Sequence, residues 1–190
     1  MNRWIVLLLL AVTLPLSAAD LVDQLSVRAG SLQSMQGRFS MQRQIAVLPL
    51  PLESKGRFKY SKGLGLRWET LSPVQSLLSI NQQGVSVDGV QRSQIGVREF
   101  AKALLDIFAG DMEELADTFT ISSIGDLNQW QLILEPRIHE VAARLVKISI
   151  TGAKNTESIE ILETNMDITL INLVTESVNT QPANSEGNYN

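Results

Sequence analysis

The stretch Ser54–Pro73, SKGRFKYSKGLGLRWETLSP, decides how the rest of the chain is read. Apolar and polar side chains alternate on both sides of a break. Phe58, Tyr60 and Lys62 fall on one face of an extended chain and Arg57, Lys59 and Ser61 on the other, because successive side chains point to opposite sides. Gly63 and Gly65 flank Leu64 and permit a turn or bulge. Leu66 and Trp68 then resume the apolar face, with Arg67 and Glu69 opposite. The spacing predicts a hairpin with a continuous aromatic face. Lys62 stands at the end of that face, where a fully packed core would carry an apolar residue.

Upstream, Asp20 to Met35 reads as an amphipathic helix. Leu21, Leu25, Ala29 and Leu32 recur at helical spacing, and Asp20 can serve as its N-cap. Gly30 interrupts it at a cost of about 1 kcal/mol relative to Ala. The apolar stripe is narrow, so the helix can be a lid over a sheet or a permanent part of the core. Arg38 to Val47 reads as a strand, with Phe39, Met41, Arg43 and Ile45 on one face. Pro49 and Pro51 fit a loop and exclude a central strand.

Downstream, Gln75 to Ile80 and Gly84 to Val90 are strand candidates joined by a turn at Asn81 to Gly84. Val97 to Phe119 changes period. Val97, Phe100, Leu104, Leu105 and Phe108 share a helical face. Gly110 fits a C-cap, and Asp111 can cap a second helix holding Met112 and Leu115. This stripe suits ordinary core and a movable lid equally. Gln129 to Glu135 alternates again, with Trp130, Leu132 and Leu134 on one side, and Pro136 ends it. Ile138 to Ala143 reads as a helical turn, Leu145 to Thr151 and Glu157 to Glu163 as a hairpin, and Ile168 to Leu173 as a last strand. From Thr175 to Asn190 the chain is polar, contains Pro182 and Gly187, and reads as a disordered tail.

The first 19 residues read as a secretory signal, 1–19. Arg3 supplies the positive end, Trp4 to Leu14 is an apolar run too short to span a bilayer, and Ser17-Ala18-Ala19 is a small-residue cleavage site. The mature chain is then one domain over 20–174 with the tail 175–190. Its 15 basic and 20 acidic residues leave a balance of −5. Such an acidic surface argues against nucleic acid as a partner. Cys is absent, so no disulfide staples the fold and stability must come from a core.

Little in the chain suggests catalysis. His139 is the only histidine, beside Glu140 in an expected surface turn, and reads as solvated. Without Cys, metal sites of the Cys/His type cannot be built. There is no nucleophile elbow, no P-loop and no dinucleotide fingerprint; Gly63-Leu64-Gly65 lacks the third glycine and the helix that should follow. The expectation is no enzyme, no catalytic residue, no metal and no cofactor. What remains is apolar surface. From the first strands come Phe39, Met41, Phe58, Tyr60, Leu66 and Trp68. Later ones add Leu78, Ile80, Trp130, Leu132 and Leu134. Periodicity alone favours their filling a solid core over their lining a cavity.

The order G-x-F-x-Y-x-K, L-R-W and P at Gly56–Lys62, Leu66–Trp68 and Pro73, after a helix and a Phe-bearing strand, resembles the periplasmic outer-membrane lipoprotein carrier family, LolA. The phrase from Phe108 to Asp111, followed by Phe119, is similar to the family's helical insertion. The resemblance runs from about Leu21 to Leu173. One departure is Phe39-Ser40-Met41-Gln42, where the family's Phe-x-Gln is one residue out of step. The resemblance implies an α+β fold: a half-open antiparallel β-barrel, a strongly curved sheet whose hydrophobic concave face is covered by lid helices. It implies a lipid cavity lined by the sheet residues just named, and lid helices that contribute Leu25, Leu32, Phe100, Leu104 and Phe108. In the family an arginine followed by proline binds lid-helix carbonyls; the matching positions are Lys62 and Gly63, which makes Lys62 the expected latch. The implied function is a periplasmic, monomeric carrier that shields acyl chains of lipoproteins. Its partners would be an inner-membrane releasing complex and an outer-membrane acceptor. A paralogue carrying another acylated lipid or biosynthetic product, and a solid-cored envelope assembly module, are the alternatives.

The signal reading predicts export and processing. N-terminal sequencing of protein from the periplasmic fraction should return Asp20 as the first residue; Met1, or recovery in membranes alone, would refute it.

Overall fold

The computed structural model describes residues 18–92 and 97–181, with side chains over 21–92 and 101–181. Residues 1–17 of the expected signal 1–19, residues 182–190 of the expected tail, and the side chains of Val97 and Phe100 lie outside the described residues. The first helix, α1 (Ala18–Gly30), leads into β1 (Leu32–Gln44), β2 (Leu52–Ser61) and β3 (Gly65–Ser72). A meander continues through β4 (Ser76–Asn81), β5 (Gly84–Val87) and β6 (Val90–Arg92). Two helices follow, α2 (Val97–Ala109) and α3 (Met112–Thr118), then β7 (Phe119–Asp126) and β8 (Gln129–Pro136). The short α4 (His139–Ala142) precedes β9 (Leu145–Gly152), β10 (Thr156–Glu163) and β11 (Ile168–Thr180).

All 11 strands form one curved, open, antiparallel sheet in the order β6-β5-β4-β3-β2-β1-β11-β10-β9-β8-β7. The first and last strands pair at its centre, from Leu32 opposite Thr180 to Gln44 opposite Ile168. One meander runs outward to β6, and the other returns from β7. These two strands are the sheet edges. The chain carrying α2 and α3 must therefore pass from one edge to the other across a face of the sheet.

The hairpin alternation predicted for Ser54–Pro73 is the observed register. Phe58 lies opposite Trp68 and Tyr60 opposite Leu66. All four side chains are buried, whereas Arg57, Lys59 and Arg67 face solvent. Rings of three strands then stack: Phe39 on Trp68 with centroids 4.0 Å apart, and Phe58 on Trp68 at 6.0 Å. Phe108 of α2 joins them, 5.5 Å from Phe58 and 6.1 Å from Tyr60. Burial pushes the Tyr60 phenol up from its ordinary pKa. Glycines make room for these rings. Phe39 sits opposite Gly56, and a Cβ on Gly56 would come within 2.6 Å of the Phe39 ring. Gly37 lies opposite Phe58 in the same way.

Several expectations are corrected. The first helix ends at Gly30 rather than Met35, so Leu32 belongs to β1. A register shift between Leu32 and Ser34 puts Leu32 and Met35 on the same buried side three residues apart, a spacing that imitates a helix. Phe119 opens β7 instead of closing a helical segment. It stands four residues after Leu115, and that interval hid the change of period. The last strand runs to Thr180, so residues 175–180 are not a disordered tail. Their order comes from backbone pairing with β1, such as Val178 with Met35, which a polar sequence does not reveal.

The glycine beneath Phe39 is a packing requirement. Gly56→Ala should cost about 2 kcal/mol or more in urea unfolding, by overpacking. Gly30→Ala, with no neighbouring atom within 4 Å of the new Cβ, should be neutral or slightly stabilising. Equal effects of the two would refute this account.

Candidate functional site

The candidate site is an apolar cavity of about 330 Å³ beneath the C-terminal half of α1. The helices contribute Leu25, Ala29, Ile107, Phe108 and Met112. The sheet contributes Leu32, Met35, Trp130, Leu132, Ile150 and Val178. Its polar lining comes from Arg28, Ser31, Lys154, Asn155, Thr156 and Thr180. These six sit where α1 meets β1, where β11 ends, and at the β9–β10 turn.

Polar ties fix the helix over this space. Arg28 Nη1 donates to the carbonyls of Ala153 at 2.8 Å and Leu127 at 3.2 Å. The Trp130 indole N–H donates to the same Ala153 carbonyl at 2.7 Å, so one backbone oxygen serves both the cavity wall and the helix above it. The Trp130 ring lies over Gly152, where a Cβ would come within 2.5 Å of it. Ser26 Oγ donates to the Gly110 carbonyl at 2.8 Å. Gly110 has φ of +71°, and a Cβ there would run into Ala29 of α1, so glycine lets the α2–α3 corner approach the helix.

The α2–α3 corner is itself braced. Asp111 accepts from the Glu114 N–H at 3.2 Å as the N-cap of α3. Lys102 reaches Glu114 at 2.6 Å and Asp106 at 3.0 Å. Burial opposes the charge on Lys102, but its hydrogen bonds to Glu114 and Asp106 raise its pKa overall. Burial likewise pushes the Asp106 carboxyl up.

Only two of the sheet residues expected to line a cavity do so, Trp130 and Leu132. Phe39, Phe58, Tyr60 and Trp68 are consumed by the ring stack with Phe108. Leu66, Ile80 and Leu134 are buried in the core, and Met41 and Leu78 pack against it. The space is therefore not against Trp68, because Phe108 fills the sheet at that half. Of the expected lid residues, Leu25 and Phe108 line the cavity from helices and Leu32 from β1. Leu104 is buried in the core cluster.

Residues the sequence did not single out complete the wall. Met35, Ile107, Met112 and Ile150 carried a periodic signal without a reason to prefer them. Val178 lay in a segment read as tail and carried none.

Lys62 is in the turn between β2 and β3, and its exposed ammonium donates to the Gly30 carbonyl at 2.8 Å. Its backbone N–H donates to Gln33 O at 2.9 Å. Gln42 bonds Glu53 at 3.2 Å on the surface. His139 is exposed on α4. Among the described residues, no group of three His, Asp or Glu side chains is placed to hold a metal ion, and no helix is long and apolar enough to cross a membrane.

Comparisons with known proteins give the family. Among solved structures, a LolA superfamily protein of Nitrosomonas europaea is similar, with 8% identity over 88% of this chain and 95% of that one, at a TM-score of 0.49. A putative outer membrane lipoprotein-sorting protein domain from Vibrio parahaemolyticus has 10% identity over 89% of this chain and 94% of that one, at 0.40. MucB has 17% identity over 89% of this chain and 60% of its own length, at 0.46. No curated protein matches the sequence. The sequence model of the outer membrane lipoprotein carrier protein LolA family matches residues 30–186, and the chain belongs to that family.

Proposed function

We propose that the protein is a non-enzymatic periplasmic carrier that shelters the acyl chains of a lipidated cargo in the cavity beneath α1 and releases them at a second membrane. The observation that carries this reading is the apolar cavity of about 330 Å³ between helices and sheet, in a chain of this family. A lipoprotein is the cargo the family description names. An inner-membrane releasing complex and an outer-membrane acceptor are the partners such a route requires. The curved sheet is then a half-open barrel, and α1 and α2 are its lids.

The energetics suit carriage without chemistry. Burying a methylene contributes about 0.8 kcal/mol, so a chain of about sixteen carbons would contribute on the order of 12 kcal/mol if fully buried. The cavity lies at the low end of the roughly 300–1,000 Å³ of small-molecule sites. A whole chain enters only if α1 moves outward, and the energy spent on that motion weakens holding enough to permit release. The polar ties at the end of α1 are the ones that motion would break. Lys62 on Gly30 is among them, and it acts as a latch.

Nile red should bind the folded protein and be displaced by palmitate. Val178→Trp, which fills the space from an exposed strand end, should weaken dye binding about tenfold or more while changing stability by about 1 kcal/mol at most. A protein that binds no dye, or a filled variant that binds as wild type does, would refute the cavity carrier.

A hydrogen bond from a charged donor contributes about 1.5–3 kcal/mol, toward the lower figure at an exposed site. Lys62→Leu should therefore shift the lid toward the open or loaded state and impair release by about tenfold. Lys62→Arg should slow entry, since the guanidinium fork offers more donors to the helix end. Stopped-flow dye association and dissociation on the three proteins measures this; identical rates would mean that Lys62 is no latch.

A further inference from the structure

The polar lining of the cavity carries charge of one sign. Arg28 and Lys154 are its ionised residues, and no Asp or Glu lies among the lining. The whole chain, by contrast, has a formal net charge of −4. Four cations elsewhere are neutralised, Arg38 by Glu176, Arg57 by Glu69, and Arg43 and Lys102 by two carboxylates each, whereas Lys62 and Arg137 reach backbone carbonyls as Arg28 does. Among the described residues neither Arg28 nor Lys154 has a carboxylate partner. Arg28 spends one nitrogen, Nη1, on two backbone carbonyls. Among the described residues its Nη2 and Nε donors make no hydrogen bond.

Arg28 lies in the last turn of α1, where any cation complements the helix end. Lys154 has no such explanation. It is an exposed residue of the β9–β10 turn, on a different element, next to the Ala153 carbonyl that Arg28 binds. The two cations thus bracket one corner of an apolar space.

We infer that the cavity takes a single-chain amphiphile ending in an oxyanion, a carboxylate or a phosphate monoester. The chain lies against Leu25, Met35, Leu132 and Ile150, and the oxyanion sits between Arg28 and Lys154. A guanidinium fork and an ammonium supply the charge-assisted donors that such a group needs. The volume of about 330 Å³ suits part of one chain rather than several. This inference rests on the carrier reading and narrows its cargo.

The test is displacement of Nile red by tetradecanoate, monotetradecyl phosphate and tetradecanol, each below its aggregation limit. Wild type should bind at least one anion about tenfold or more tightly than the alcohol. That preference should shrink as salt is raised. The tighter anion of the two identifies the head group. Lys154→Gln, which removes no hydrogen bond of the fold, should cut anion affinity several-fold and leave alcohol affinity unchanged. Arg28→Gln/Lys154→Gln, confirmed folded by circular dichroism, should bind all three ligands alike. Equal affinities in wild type, or a preference that survives the double substitution, would overturn the inference while leaving the carrier standing. Failure of all three ligands to displace the dye would overturn both.

Discussion

The structure depends on aromatic rings laid over glycines of the neighbouring strand. Phe39 over Gly56 is the central case: the ring occupies the space of a missing side chain and stacks on Trp68 at 4.0 Å. Phe58 over Gly37 repeats the device on the same strand pair, and Trp130 over Gly152 repeats it on another. A glycine in a strand ordinarily weakens it. Here each one lets a large ring cross to the adjacent strand, so rings on one face tie strands together beyond their backbone ladder. Gly56 of the G-x-F-x-Y stretch is thereby explained by packing, with no turn involved.

The second constraint is topological. Because β6 and β7 are the two edges and α2 and α3 lie between them in the chain, helical segments must cross the sheet. Phe108 then meets Phe58 and Tyr60, and that half of the buried face closes into solid packing. The remaining space is displaced to the other half, where the cavity lies between α1 and residues of β1, β8, β9 and the end of β11. The alternatives of solid core and cavity are both realised, each on its own part of the sheet.

The two helical covers are held differently. The α2–α3 corner is anchored by a buried ring and by a lysine between two carboxylates. The C-terminal end of α1 is held at its rim by side chains that reach backbone carbonyls: Ser26 to Gly110, Arg28 to Ala153 and Leu127, and Lys62 to Gly30. Such bonds exchange with water at modest net cost. Buried apolar contacts hold both helices as well, Phe108 from α2 and Leu21 and Leu25 from α1.

The sequence by itself determined the hairpin, its register and its aromatic face, because period-2 alternation is local and the Phe58–Trp68 pairing follows from the turn. It also marked α2, α3 and the capping roles of Gly110 and Asp111, and the order of short motifs pointed to the family. The tertiary structure decided what local pattern cannot carry. Leu32 and Met35 look helical because a bulge spaces them by three. Val178 and Thr180 look like tail because only pairing with β1 orders them. Lys62 meets Gly30, and Lys154 joins Arg28, across long stretches of chain. Which apolar residues line a space and which fill it was set by where Phe108 lands, and that follows from how the helices cross the sheet, a long-range fact invisible to periodicity.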